Sequence, residues 1–197
     1  MRSLLSSLRS RGSSASLVDP TSGPPTSFSA LLSRSSAVSS RLARAAPARV
    51  ALVGVPSASF AVGLVASWRA GAAVVPLCPT HPGGEVAHVL AETSPSVVLV
   101  PGHAGSREAN AAAVAVGEAA KMGIQVRHVG ELEAEAGEAL DAALSLETKA
   151  TSDGDALIVM TSGSTGKPKG VRHSHASVEA MAKGMIAEWK WSETDHI

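Results

Sequence analysis

Apolar residues recur along this chain in two alternating patterns, and each predicts a different kind of element. Short apolar runs at 49–54, 72–76, 96–100, 124–129 and 156–160 read as strands, the last of them as a buried parallel one. Between them, 27–46, 57–70, 83–93, 106–122 and 131–144 read as helices, and another helix is expected from residue 174 onward. The polar segment 146–155 reads as a connection into the strand at 156–160. Strand and helix therefore alternate, an order that builds a parallel sheet covered by helices, so the expected fold class is α/β. Gly71 is placed to cap the helix 57–70, and Pro76 and Pro79 shape the exit from the following strand. No internal repeat interrupts the series.

Composition narrows the class. Hydrophobic residues make up 45% of the 197 and charged residues 17%, below the usual quarter, which suits one well-formed core. The longest apolar candidate, 60–75, is broken by Gly63, Ser67, Arg69 and Gly71, short of the roughly 18 residues of a membrane-spanning helix. A single cysteine, Cys78, excludes an internal disulfide, fits a reducing compartment and reads as core filler rather than a nucleophile.

The net charge of zero hides a division. Residues 1–84 carry eight arginines and one acid, Asp19, giving +7; residues 85–197 carry nine basic and sixteen acidic residues, giving −7. The two parts should attract each other, within the reach that salt screening leaves. Scattered arginines and 3% aromatic residues offer no stacking platform for nucleic acid. In residues 1–18, Arg2, Arg9 and Arg11 lie among serines, with Leu4, Leu5 and Leu8 on one helical face and no acid before Asp19. That pattern fits a mitochondrial transit peptide and, equally, a disordered cytoplasmic tail, with a plastid address a weaker alternative; without a long apolar stretch it does not fit secretion.

The chemistry concentrates between Met160 and Val171. Four hydroxyls (Thr161, Ser162, Ser164, Thr165), three glycines (Gly163, Gly166, Gly170) and two lysines (Lys167, Lys169) share one short loop after an apolar strand. Phosphate oxygens require many donors at close range; glycines bring bare backbone N–H groups up to them, and lysines add mobile positive charge. The Walker pattern G-x-x-x-x-G-K-[ST] fails twice, because position 161 is Thr and the residue after Lys167 is Pro168.

From Thr161 to Val171 the loop resembles the T-S-G-[ST]-T-G-x-P-K-G-V signature of the adenylate-forming acyl-CoA synthetases at every fixed position. Other segments are similar too: Ser27-Phe28-Ser29-Ala30-Leu31-Leu32 stands where the family opens its first helix. Trp68 to Pro79 resembles its W-R-A-G-x-x-x-V-P-L-x-P segment. The run Glu188-Trp189-Lys190-Trp191-Ser192 before Asp195-His196-Ile197 looks like the malonyl-CoA synthetase branch.

The resemblance implies an ATP-dependent acid:CoA ligase, acting on malonate or another short acid, with ATP, Mg²⁺ and coenzyme A as its small-molecule requirements. It implies that residues 19–197 are an incomplete N-terminal part of the synthetase domain, inactive alone, with the acyl pocket, the magnesium-holding acid and the catalytic lysine supplied elsewhere. The expected nucleotide-binding set is Thr161, Ser162, Gly163, Ser164, Thr165, Gly166, Lys167, Lys169 and Gly170, with direct contact from Thr161, Ser164, Thr165 and Lys169. No catalytic or metal-ligating residue is expected within the chain. The alternatives are a non-catalytic remnant or interaction module and a free-standing nucleotide-binding module.

Other polar residues read as structural. His173 and His175 stand two apart, which suits a strand face but not helical zinc ligands, and a hinge or N-cap network involving Ser174 is expected there. His81, His88 and His103 fall at element edges. Glu131, Glu133, Glu135 and Glu138 read as a solvated face rather than a metal cluster, and Lys183 as an exposed helix residue.

Overall fold

The computed structural model describes residues 16–17, 25–136, 151–161 and 168–192. The expectations for 137–144 and for the centre of the phosphate loop, 162–167, fall outside the described residues. In chain order the elements are β1 (Ser16–Leu17), β2 (Thr26–Ser27), α1 (Phe28–Ala45), β3 (Arg49–Val53), α2 (Ala58–Arg69), β4 (Ala73–Leu77) and α3 (Gly83–Thr93). They continue as β5 (Val97–Val100), α4 (Arg107–Ala111), α5 (Ala113–Lys121), β6 (Gln125–His128), α6 (Val129–Ala136), β7 (Asp155–Thr161), β8 (Lys169–Ser174) and α7 (His175–Glu188).

The main sheet has the order β6-β5-β3-β4-β7-β8, and β1 pairs with β2 in a separate two-stranded bridge. From β6 through β7 every pairing is parallel; β8 runs antiparallel to β7. Side chains alternate across each strand, so Val50, Leu52, Val74, Val97 and Leu99 pack with α1, α2 and α6, where Leu31, Val62 and Leu132 meet them. Their sequence neighbours Ala51, Val53, Val75, Val98 and Val100 turn to the other face and pack with α3 and α5 through Val86, Leu90, Ala115 and Ala119. Burial on both faces is what the unbroken apolar runs encode.

Serine starts the helices. Ser27, Ser57, Ser106 and Ser174 are extended and accept from the backbone N–H three residues on, satisfying a donor that the first helical turn leaves free. At the end of α2 the chain passes through Gly71 at φ 85°, and the Ala72 N–H returns to the Ser67 carbonyl, so the expected glycine cap is present.

Three expectations change. The single helix at 106–122 is two, because Ala112 leaves helical geometry at φ −87°, ψ 0°, shares its N–H between the Glu108 and Ala109 carbonyls, and is fully buried. Cys78 is half-buried rather than core filler: β4 ends at Leu77, and the chain turns out of the core there, the His81 N–H closing onto the Cys78 carbonyl. Lys169–Ser174, for which the apolar pattern predicts no element, is an edge strand.

The charge division becomes specific contacts. Arg34 of α1 forms a two-pronged pair with Glu133 of α6, at 2.8 and 3.2 Å, and Arg41 donates to the Glu135 carbonyl. Glu135 also pairs with Arg127 at 2.5 Å, so two of the glutamates expected to be merely solvated tie α6 to its neighbours. Lys183 is exposed as expected and pairs along its helix with Glu179.

Candidate functional site

Strands β7 and β8 form a hairpin whose last pairs are Val159 with Val171, Met160 with Gly170 and Thr161 with Lys169. The described end of the hairpin, Thr161 and Lys169, therefore stands at the C-terminal end of the parallel strand β7, on the edge at which open α/β sheets take their ligands. Of the nine residues expected to bind nucleotide, Thr161, Lys169 and Gly170 are described, and the hairpin brings them together at its base. Ser162, Gly163, Ser164, Thr165, Gly166 and Lys167 lie outside the described residues.

Thr161 and Lys169 are both exposed, and the Thr161 hydroxyl donates to the Lys169 carbonyl at 3.3 Å. Gly170 has a packing reason of its own: a Cβ there would stand 3.0 Å from Ile158 Cγ2 and 3.6 Å from Met160 Sδ. A tether from outside the hairpin reaches the same corner: His88, in the middle of α3 rather than at an element edge as expected, places Nε2 3.1 Å from the Pro168 carbonyl. Nothing in the spacing of His88 and Pro168, eighty residues apart, signals this contact.

A cavity of about 280 Å³ opens beside the hairpin at the C-terminal ends of β3, β4 and β7, lined by Gly54, Leu77, Cys78, His81, Val159 and Met160 among others. At its edge the Cys78 thiol lies 3.1 Å from the Thr80 hydroxyl, and hydrogen bonding by Thr80 lowers its pKa from the ordinary value. His81 stands 3.5 Å from Glu85.

The far end of the hairpin is anchored through α7. The His175 backbone N–H bonds the Gly154 carbonyl at 3.0 Å, and the buried His175 ring meets Trp68 edge-on, with centroids 5.6 Å apart. Trp68 in turn donates Nε1–H to the Ala156 carbonyl at 2.8 Å. Burial lowers the His175 pKa from its ordinary value, since a charged ring there would lose its water. Ser174 caps α7 as expected, His173 lies on β8 opposite Leu157, and Asp155 pairs with Arg172 at 2.7 Å. Among the described residues no group of three His, Cys, Asp or Glu could hold a metal ion, and no helix is long and apolar enough to cross a membrane.

An exposed hydroxyl and an exposed lysine at the base of a Ser-, Thr- and Gly-rich loop suit an anion. A malonate–CoA ligase of Arabidopsis thaliana is 32% identical over 155 residues, covering 76% of this chain and 24% of the relative. The malonate–CoA ligase ACSF3, mitochondrial, of Xenopus laevis is 32% identical over 152 residues, covering 77% of this chain and 25% of the relative. The chain thus spans about a quarter of the length of these curated relatives. The ATP-bound crystal structure of MatB from Rhodopseudomonas palustris matches with a TM-score of 0.66 at 25% identity, over 87% of this chain and 34% of that one. A family model described as "AMP-binding enzyme" matches residues 7–197, nearly the whole sequence, and the chain belongs to that family.

Proposed function

We propose that residues 19–197 form the N-terminal part of an ATP-dependent acid:CoA ligase domain, and that the loop 161–171 grips the β- and γ-phosphates of ATP. The observation that carries this reading is the hairpin base, where Thr161 and Lys169 face each other at the edge of the sheet, flanking the loop that matches the signature. In the first half-reaction a carboxylate oxygen of the acid attacks the α-phosphorus, the bond to the bridging oxygen breaks, and pyrophosphate leaves an acyl adenylate behind. In the second, the thiol of coenzyme A loses its proton, attacks the acyl carbonyl and displaces AMP.

The loop serves the first step. Donors already in place around the leaving phosphates stabilise the charge that builds on pyrophosphate without reorganising during the reaction. Thr161, Ser164, Thr165 and Lys169 are assigned direct contact, Ser162 and Lys167 a supporting one, and Gly163, Gly166 and Gly170 the close backbone approach. In this reading Mg²⁺ accompanies the nucleotide and shares the charge that builds on the leaving pyrophosphate.

The relatives' names favour malonate as the acid. The Xenopus name and the Arg- and Ser-rich segment 1–18 favour mitochondrial over cytoplasmic placement, with that segment as the targeting sequence. The assay uses the full-length protein with ATP, CoA and a panel of short acids, following pyrophosphate and thioester together. Malonate is expected to give both products at the highest kcat/KM. Binding of ATP without acid-dependent pyrophosphate release would instead support a nucleotide-binding module lacking ligase chemistry.

A further inference from the structure

We infer that His88, a residue of α3 outside the loop signature, is a positioning residue that sets the backbone of Lys169; the inference rests on the nucleotide-binding reading of the loop. A peptide group is planar, so a hydrogen bond to its carbonyl oxygen orients the whole unit, N–H included. Two such units flank the Lys169 Cα. The one before it carries the Pro168 carbonyl, 3.1 Å from His88 Nε2, and the one after it carries the Lys169 carbonyl, which accepts from the Thr161 hydroxyl at 3.3 Å. With both units held, φ and ψ of Lys169 are fixed, and its exposed side chain retains only its own rotamers with which to meet an anion.

The chemistry of the contact is restrictive. Pro168 has no N–H, so its carbonyl is the backbone group it can offer, and that oxygen only accepts. The His88 ring must therefore carry its proton on Nε2. The platform is firm: α3 drives Val86, Val89 and Leu90 into the core at 1%, 7% and 0% exposure, and His88 lies between them in sequence, half-buried on the side that reaches β8. The contact thus couples the loop's exit to the helix that follows β4, and Pro168 transmits the constraint because its ring already fixes φ.

The test uses the full-length protein with two substitutions. His88→Phe keeps a ring of similar size and removes the donor; His88→Gln keeps a side-chain N–H of similar reach. Titration with ATP in a calorimeter is expected to show about fivefold weaker binding for His88→Phe, the effect of losing one hydrogen bond, and affinity near wild type for His88→Gln. Nitrogen NMR of the ligand-free chain is expected to show the His88 proton on Nε2, and amide exchange at Lys169 and Gly170 is expected to accelerate in His88→Phe alone. Equal ATP affinity in wild type and His88→Phe, or a His88 ring with Nε2 bare, overturns the positioning role while leaving the nucleotide reading intact. A full-length wild type that binds no ATP overturns the nucleotide reading and this inference with it.

Discussion

His175 shows how one residue can report on the anchoring of the hairpin. Its ring is buried against Trp68 and its pKa is lowered by that burial, so the folded chain favours the neutral form. The unfolded chain takes up a proton at the ordinary histidine value of about 6.5. Stability from this site is therefore complete above about pH 6.5 and declines as the pH falls below it, because the unfolded state gains a proton that the folded state refuses. His175→Phe keeps an aromatic partner for Trp68 and removes the titration. Urea midpoints measured from pH 8 to pH 5 should fall less steeply in the variant than in the wild type; parallel slopes would mean that His175 ionises freely in the fold. The sequence already placed His175 beside a capping serine, but its burial against Trp68, more than a hundred residues away, could not be read from local pattern.

At the scale of elements, legibility follows burial. Strands β3, β4 and β5 are sunk in the core on both faces and appear in the sequence as uninterrupted apolar runs. Strand β8 is an edge strand whose first four residues are exposed; Lys169-Gly170-Val171-Arg172 carries no alternation that would betray it, and its geometry comes from pairing with β7. The same reason hides the candidate site: the loop's residues are legible as a signature, while the fact that they close a hairpin depends on a strand without a pattern. Glycine usage in α2 is likewise a tertiary matter. A Cβ on Gly63 would meet Leu52 Cδ1 at 3.1 Å and Val129 Cγ2 at 3.3 Å, so a side chain there requires these neighbours to move aside slightly. Gly63→Val is expected to overpack this contact and cost about 1–3 kcal/mol in chemical denaturation. A neutral or stabilising result would show that Leu52 and Val129 can give way.

Across the whole molecule, arginines of the first part join layers through contacts with the second. Arg34 and Arg41 of α1 both reach α6, while Arg49 at the start of β3 donates to the Thr93 carbonyl at 2.5 Å. What the sheet leaves open is the corner beyond β7 and β8, where an exposed lysine, an exposed threonine and a cavity of about 280 Å³ come together. In the proposed reading this corner acts on the phosphates of ATP and therefore on adenylation alone. The most direct measurement compares Lys169→Ala with wild type in the full-length protein, one half-reaction at a time: acid-dependent pyrophosphate release, then thioester formation from preformed acyl adenylate. Adenylation is expected to slow by about a hundredfold, as when a preorganised charge-stabilising donor is lost, with thioester formation close to wild type. Equal losses in the two half-reactions would contradict the assignment of the loop to the phosphates.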